Sequence, residues 1–390
     1  MKAILPLKPK PISTALIWES DNPDVAVVNS KGVVTGISEG KAVITAYPAN
    51  PEYDATTQTA SYTVTVSKSA KAAGVSSIKL MLNKTEYEHR SSLPELAVKK
   101  SINLKAYTYD TVKKKEVALK KKDVIFYSDN ENVISVSADG KVTARAEGSA
   151  NVTAVSLKDP TVKSSVIVNS YVPVTKITLN AKTNKLMKGK TGILTVAQWN
   201  PEETSNKQIE WTATGADGSK KTGNIQAVEL AVLPIGKSIS DLSDEDYKDA
   251  RSTPVITGEG ERLVYRTKVA TKNCTITAKT VEGGKTATCK LIINGEVTAL
   301  SLKPVKGLSE TEEGYSATIK AGRTLKLTPV IKAEYGADKT VKWVSSGSEN
   351  ITVKKGTIKV NKKAVTGEKA VITLSSSGGK HVLKVNVTVE

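Results

Sequence analysis

Internal repeats restrict the fold of this chain more than any other feature of its sequence. Residues 17–46 align without a gap to residues 125–154. Another copy ends at residues 369–373, which repeat residues 41–45 letter for letter, and a more divergent copy surrounds Trp211. Because tandem similarity of this kind marks a modular chain, we predict successive domains rather than one large core.

Each copy closes with an alternation of apolar and polar residues, as in residues 382–389. A period of two indicates a strand with one buried face. Between two such runs stands a glycine, at Gly32, Gly140 and Gly356, where a hairpin turn needs positive φ. The predicted fold class is therefore all-β, with antiparallel sandwiches arranged in an elongated tandem array.

The repeat spacing predicts four domains, called here the first to fourth repeats. They cover residues 1–68, 75–171, 172–296 and 297–390, and the third carries an insertion at about 215–265. The first repeat is expected to lack its first strand, because few residues precede the aligned segment. We therefore expect the chain to be a fragment of a longer protein.

The chain is basic, with 57 Lys and Arg residues against 39 Asp and Glu and a formal net charge of +18. Only six of the basic residues are arginine, whereas recognition of nucleic acid favours the planar, bidentate guanidinium. We therefore expect no nucleic-acid partner and interpret the lysines as a solvating surface. The alternative is attraction toward an anionic surface such as a bacterial cell wall.

Two cysteines in 390 residues exclude a scaffold held together by disulfides. Cys274 and Cys289 fall on the last two predicted strands of the third repeat, and both face the core. A turn at residues 281–284 places Cys274 opposite Leu291 and Cys289 opposite Ile276. Diagonal neighbours lie ~7–8 Å apart, too far for a disulfide, so two buried free thiols are the favoured interpretation. The alternative is a hairpin disulfide, which a bulge would permit by shifting the register.

The motif Trp-x-Ser-Asp-Asn-Pro-Asp-Val-Ala-Val-Val, followed by Lys-Gly-Val-Val-Thr-Gly and Glu-Gly-Lys-Ala-Val-Ile-Thr-Ala, resembles the bacterial Ig-like domain, group 2. The resemblance extends over four copies and is weakest in the third. It implies immunoglobulin-like sandwiches in secreted or surface-anchored bacterial proteins. It also implies no catalytic residues, so an enzyme is not expected.

One aromatic residue occupies the same position in each repeat: Trp18, Phe126, Trp211 and Trp343. We predict that these four are the central core aromatics of the sandwiches.

Trp199 lies outside that position, just before a turn. Together with Tyr47 and Tyr53 it is a candidate to stack on a sugar ring, and the alternative is partial burial at a loop edge. Tyr107, Tyr109 and Tyr335 belong to the same set of candidate exposed aromatics.

The insertion contains an acidic stretch over residues 243–251 with the signals of a short surface helix. Asp241, Asp244 and Asp246, with Glu245 and Asp249, are weak candidates for a calcium site. Their spacing does not follow the EF-hand loop, so a solvated loop is the favoured interpretation and no cofactor is expected.

The leading functional hypothesis is a non-catalytic extracellular spacer or adhesion segment of a bacterial cell-surface or secreted protein. The alternative is a carbohydrate-binding module region of a secreted polysaccharide-degrading protein. The expected partners are a cell-wall polymer, a glycan or a host surface, with the chain itself monomeric and not inserted in a membrane. An extracellular location is expected although the sequence shows no signal peptide.

Overall fold

The computed structural model describes residues 16–49, 59–67, 77–110, 113–220 and 224–390. In these residues the chain forms 36 strands and two single-turn 3-10 helices, and no α-helix occurs. The chain divides into two compact units, each described by itself: residues 1–175 with 200–206, and residues 176–199 with 207–390. The all-β, immunoglobulin-like fold class is confirmed. The finer division into four domains stays a prediction.

The first repeat forms a three-stranded sheet, in the order β1-β4-β5, and the hairpin β2-β3. An opening strand would fall in residues 1–15, which lie outside the described residues. The strands are β1 (Leu16–Ser20), β2 (Ala26–Val28), β3 (Val34–Gly36), β4 (Gly40–Pro48) and β5 (Ala60–Val66).

The second repeat forms three sheets around one core. Its strands are β6 (Lys79–Leu82), β7 (Thr85–Tyr87), β8 (Leu96–Ala97), β9 (Ser101–Asn103), β10 (Lys105–Asp110), β11 (Lys115–Ala118), β12 (Val124–Ser128), β13 (Ile134–Val136), β14 (Lys141–Ala144), β15 (Gly148–Ser156) and β16 (Lys163–Tyr171). The sheet orders are β11-β10-β6-β7, β12-β15-β16-β8 and β13-β14-β9.

The third repeat follows the same plan with longer strands. Its strands are β17 (Lys176–Leu179), β18 (Thr183–Met187), β19 (Thr191–Leu194), β20 (Val196–Asn200), β21 (Ile209–Ala213), β22 (Val228–Leu233), β23 (Val255–Thr257), β24 (Arg262–Thr267), β25 (Thr271–Thr280) and β26 (Thr286–Asn294). The sheet orders are β17-β20, β18-β26-β25-β21-β23 and β19-β24-β22.

The fourth repeat ends the chain. Its strands are β27 (Val297–Leu302), β28 (Leu308–Thr311), β29 (Gly314–Ile319), β30 (Thr324–Lys326), β31 (Pro329–Ala333), β32 (Val341–Gly347), β33 (Ile351–Lys354), β34 (Thr357–Val360), β35 (Lys369–Ser376) and β36 (Val382–Val389). The sheet orders are β27-β31, β28-β29-β36-β35-β32 and β30-β34-β33.

The glycine turns lie against the core aromatics. Gly32, Gly140 and Gly356 have φ of 75°, 81° and 80°, which confirms the predicted positive φ. A Cβ at Gly32 would lie 2.5 Å from Cζ2 of Trp18, and one at Gly356 would lie 3.1 Å from Cζ2 of Trp343. The glycine is therefore required twice, for its backbone conformation and for the close approach of the ring.

The predicted helix over residues 243–251 is wrong. The segment contains one turn of 3-10 helix, η2 (Asp244–Asp246), preceded by a similar turn, η1 (Ile239–Asp241). Both turns end because the next residue, Leu242 or Tyr247, is extended. Lys248 then pairs with Leu230 as an isolated bridge, and this pairing holds the chain in a non-helical conformation.

The two cysteines lie in the predicted register. Cys274 is opposite Leu291, and Ile276 is opposite Cys289, on the paired strands β25 and β26. Both cysteines are free and fully buried. Burial raises the pKa of the Cys274 thiol to about 12. A neutral thiol of this kind packs as a small apolar side chain.

Within the first unit, the first repeat packs on the outer face of strand β12. Ile125 and Tyr127 point away from the core of the second repeat, yet they are only 4% and 9% exposed. With Val155 they form a buried cluster with Val27 and Ile37 of the first repeat. At the edge of this contact Lys163 Nζ lies 2.6 Å from Asp24 Oδ1. Strand β12 is therefore buried on both faces.

Candidate functional site

A cleft of about 330 Å³ in the third repeat contains Trp199, the aromatic that stands outside the repeat pattern. Trp199 is half-buried on β20, and the core residue Trp211 on β21 also lines the cleft. The turn from Gly258 to Glu261, between β23 and β24, forms another wall. An indole beside a concave polar surface is one arrangement that a ligand ring can occupy.

Hydrogen bonds fix the walls of this cleft. The Trp211 indole Nε1 donates to Thr257 Oγ1 at 2.8 Å, which satisfies the polar atom of a buried ring. The Gly258 amide donates to Glu261 Oε2 at 2.6 Å and holds the turn closed. These two bonds therefore hold the walls of the cleft in place within the folded repeat.

Charged side chains line the same cleft. Lys207 Nζ donates to Glu259 Oε1 at 2.7 Å, and the Glu259 side chain is 72% exposed. Arg262 Nη2 donates to the carbonyl oxygen of Lys237 at 3.0 Å. An aromatic face with hydrogen-bonding groups beside it can hold a small polar ring such as a sugar.

The other two candidates for ligand binding are Tyr47 and Tyr53. Tyr47 belongs to the first unit, where its hydroxyl donates to Glu19 Oε1 at 2.5 Å and accepts from Asn132 Nδ2 at 2.5 Å. Burial and the neighbouring carboxylate of Glu19 raise the pKa of Tyr47 to about 12. Tyr53 lies outside the described residues. Tyr47 therefore acts in the contact between the first two repeats.

The acidic residues proposed for calcium are engaged by the protein itself. Asp241 Oδ2 accepts from the Ser238 amide at 2.8 Å, and Asp246 Oδ2 accepts from the Ser243 amide at 2.7 Å. These bonds lower the pKa of both carboxyl groups. The third candidate, Asp244, pairs with an arginine guanidinium. In the part of the chain that the structure describes, no group of three or more His, Cys, Asp or Glu side chains could hold a metal ion.

The four repeat aromatics lie in or against separate hydrophobic cores. Trp18, Phe126 and Trp211 are 5%, 3% and 1% exposed. Trp343 is partly buried and packs against the core of the fourth repeat. These four rings therefore serve to pack the hydrophobic cores.

Sequence reasoning identified Trp199 but missed the charged residues of its cleft. Lys207 follows Trp199 by eight residues, whereas Glu259 and Arg262 are distant from it in sequence and meet it through the strand topology. The pattern Gly-Glu-Gly-Glu-Arg at residues 258–262 is the signal that marks an exposed tight turn there.

A comparison with protein families agrees with the repeat pattern. Residues 8–59 and 93–166 match the family described as bacterial Ig-like domain (group 2). These two segments are bacterial Ig-like domains of group 2. The resemblance seen in the sequence is thereby confirmed for the first and second repeats. In the fourth repeat, Trp343 and Gly356 repeat this pair of core aromatic and turn glycine, and in the third repeat Trp211 occupies the position of the aromatic.

A curated relative is an uncharacterized protein of Clostridium acetobutylicum, 29% identical over 122 residues. The match covers 31% of this chain and 12% of that protein, so this chain spans a small part of the relative's length.

Several solved structures resemble this chain at low identity. The titin I-band fragment I67-I69 is 9% identical, with a TM-score of 0.39, over 80% of this chain and 99% of that one. Invasin, described as a bacterial integrin-binding protein, is 15% identical, with a TM-score of 0.29, over 96% and 72%. The surface layer protein SbsC, domains 1-6, is 17% identical, with a TM-score of 0.23, over 94% and 45%.

Among the residues described, none of the helices has the length and apolar character needed to cross a membrane.

Proposed function

We propose that this chain is a non-catalytic spacer or adhesion segment of a bacterial protein that is displayed on the cell surface or secreted. One observation carries the proposal: the recurring aromatic of each repeat lies in or against a core of its own. On this proposal, repetition multiplies folded units rather than assembling one shared site. A chain of such units can hold another module at a distance from its anchor.

The match to bacterial Ig-like domains supports this proposal, because it covers two of the repeats. A cell-wall polymer, a glycan or a host surface is the proposed class of partner. No residue of the chain is assigned a catalytic role, and no cofactor is proposed.

Small-angle X-ray scattering of the whole chain tests the spacer role. A compact globule of 390 residues would have a radius of gyration of about 21 Å. We expect a value well above this, with a pair-distance distribution that has a long tail. A value near 21 Å would contradict the proposal, provided that light scattering shows a monomer.

A second candidate function, carbohydrate binding, is favoured by the Trp199 cleft. Trp199→Ala removes the stacking face while leaving the buried Trp211 in place. We expect this variant to lose binding to any oligosaccharide that the wild-type chain retains on a glycan array. Tyr62→Ala is the matched control, because Tyr62 is 61% exposed, lies in a different repeat and is not among the candidate sugar-stacking aromatics. Equal binding by the wild type and Trp199→Ala would exclude the cleft as the sugar site.

A further inference from the structure

The sheet β30-β34-β33 of the fourth repeat carries lysine and threonine in a chequered pattern on its outer face. In one row across the strands, Lys326 is opposite Thr357, and Thr357 is opposite Lys354. In the next row the order is reversed: Thr324, Lys359 and Thr352. The residues between these positions point inward: Leu325 and Ile358 are buried, and Val353 packs against the core. We call Lys326, Lys354 and Lys359 with the three threonines the cationic face.

The three lysines of the cationic face are exposed and form no ion pair among the described residues. Some lysines elsewhere are paired, for example Lys163 with Asp24 and Lys380 with Glu296. Residues 321–328 and 351–363, which supply the three strands, contain no acidic residue. The positive charge of this face is therefore not neutralised by the protein.

The fold does not require these lysines, because the second repeat builds the same sheet with other residues. Its counterpart, β13-β14-β9, pairs Lys141 with Asn103 and Thr143 with Ser101, and Thr143 with Ser135. Asn103, Thr143 and Ser137 stand where the fourth repeat has Lys326, Lys359 and Lys354. The outer face there carries one lysine on its paired strands. The cationic face is thus a property of the fourth repeat alone in this comparison.

The arrangement of the charges suits a polymer that crosses the strands. Lys326, Lys359 and Lys354 are successive diagonal neighbours, so each step is roughly 7–8 Å. Ammonium groups this close repel one another unless anions lie between them. The threonine hydroxyls between the lysines can donate hydrogen bonds to the same anions.

The side chains of the cationic face also restrict the class of anion that it can bind. Lysine binds phosphate as a point charge, and a face without arginine offers no bidentate fork for carboxylate or base edges. The strands that form the face contain no aromatic residue, so nucleic-acid bases have no surface on which to stack.

We propose that the cationic face binds a linear polyol polymer linked by phosphodiesters. The inference goes beyond the spacer role, because it assigns a ligand to one sheet face. Binding by the cationic face does not depend on whether the whole chain is extended, which is what the scattering experiment measures. A failed binding test would leave the scattering result untouched, and the reverse also holds.

The test uses the whole chain and poly(glycerol phosphate) as the probe. The variant K326N/K354S/K359T introduces the residues that the second repeat has at these positions. The control K342T/K369S/K384N removes three exposed lysines that form no ion pair among the described residues, from strands of the opposite sheet of the same repeat. Both variants lower the net charge equally, and thermal unfolding followed by circular dichroism verifies that both remain folded.

We expect the wild-type chain to bind the immobilised polymer at about 50 mM salt and to lose affinity steeply toward about 200 mM. The cationic-face variant should bind at least roughly tenfold more weakly, with a shallower dependence on salt. The control should remain within about threefold of the wild type. Equal losses in the two variants, no binding by the wild type, or tighter binding to a sulfated polysaccharide or single-stranded DNA would each overturn the proposal.

Discussion

At the scale of single residues, a few positions carry a backbone conformation or a charged group that the surrounding structure disfavours. Gly356 is buried, with a φ of 80°, and a Cβ there would lie 2.8 Å from the carbonyl oxygen of Leu327. Gly378 has the same φ in the same repeat, with no atom within 4 Å of its Cβ position. The pair separates steric crowding from backbone strain.

We predict that Gly356→Ala destabilises the fourth repeat more than Gly378→Ala does. Both changes impose left-handed strain of about 1–2 kcal/mol. Only Gly356→Ala also crowds a backbone carbonyl and the ring of Trp343, which adds about 1–3 kcal/mol. Urea unfolding measures both changes in the free energy of unfolding. Equal losses would show that the close packing of the turn against Trp343 contributes nothing.

Glu131, in the loop between β12 and β13, is a carboxyl group that burial disfavours in its charged form. It is 2% exposed, and its Oε1 accepts from the Val136 amide at 3.2 Å. Its Oε2 has no hydrogen-bond partner in the described residues. Burial raises its pKa from 4.5 to about 7.

The raised pKa predicts a loss of stability with rising pH. The folded state binds this proton more tightly than the unfolded state does. The proton therefore contributes fully to the free energy of unfolding below pH ~4.5, and this contribution, about 3 kcal/mol, is lost as the pH rises to ~7. Glu131→Gln removes this titration. We expect the variant to match the wild type near pH 4.5 and to be more stable at pH 8 in denaturant titrations. An unchanged stability difference at the two pH values would contradict the assignment.

At the scale of secondary-structure elements, β12 shows how one strand position is used differently in different repeats. Ile125 is buried against the first repeat, whereas the corresponding residue of the fourth repeat, Lys342, is exposed. Both stand one residue before the core aromatic and face away from the core of their own repeat. The residue at this position is therefore apolar and buried in the second repeat, where another repeat covers it, and charged and exposed in the fourth.

We predict that Ile125→Lys weakens the attachment of the first repeat. The change buries an ammonium group beside Val27 and Ile37, at a cost of about 2–4 kcal/mol. The core of the second repeat faces the other way and should persist. Hydrogen exchange of the β2 amides should accelerate, whereas the reciprocal control Lys342→Ile should leave exchange in the fourth repeat unchanged. Unaltered exchange in β2 would show that this contact does not stabilise the first repeat.

At the scale of the whole molecule, the cores of the second and fourth repeats are each drawn from one continuous segment. The fourth-repeat core contains fourteen buried residues, all between Leu302 and Val389. A core supplied by one segment does not need the rest of the chain in order to form.

We therefore predict that residues 297–390 fold alone. The isolated segment should unfold in a single cooperative transition, with a two-state calorimetric signature. A broad, non-cooperative transition would show that neighbouring residues are required. In that case the predicted boundary before residue 297 would be wrong.

The Trp199 cleft shows how far prediction of a candidate site can go from sequence. Trp199 was identifiable because it departs from the repeat position. Lys207 and Glu259 were not, since the strand order alone brings the turn at residues 258–261 beside β20. The predicted helix failed for a related reason: Lys248 pairs with Leu230, a contact that local capping signals cannot reveal.

Features that depend on local chemistry could be read from the amino-acid sequence. The period of two indicated the strands, glycine at positive φ indicated the turns, and the hairpin turn fixed the opposition of Cys274 and Leu291. The folded chain was needed to show which outer faces are covered, as at Ile125, and which lysines converge, as on β30, β33 and β34. Turns and pleats are fixed by neighbours along the chain, whereas a sheet face is formed by strands that meet only after folding.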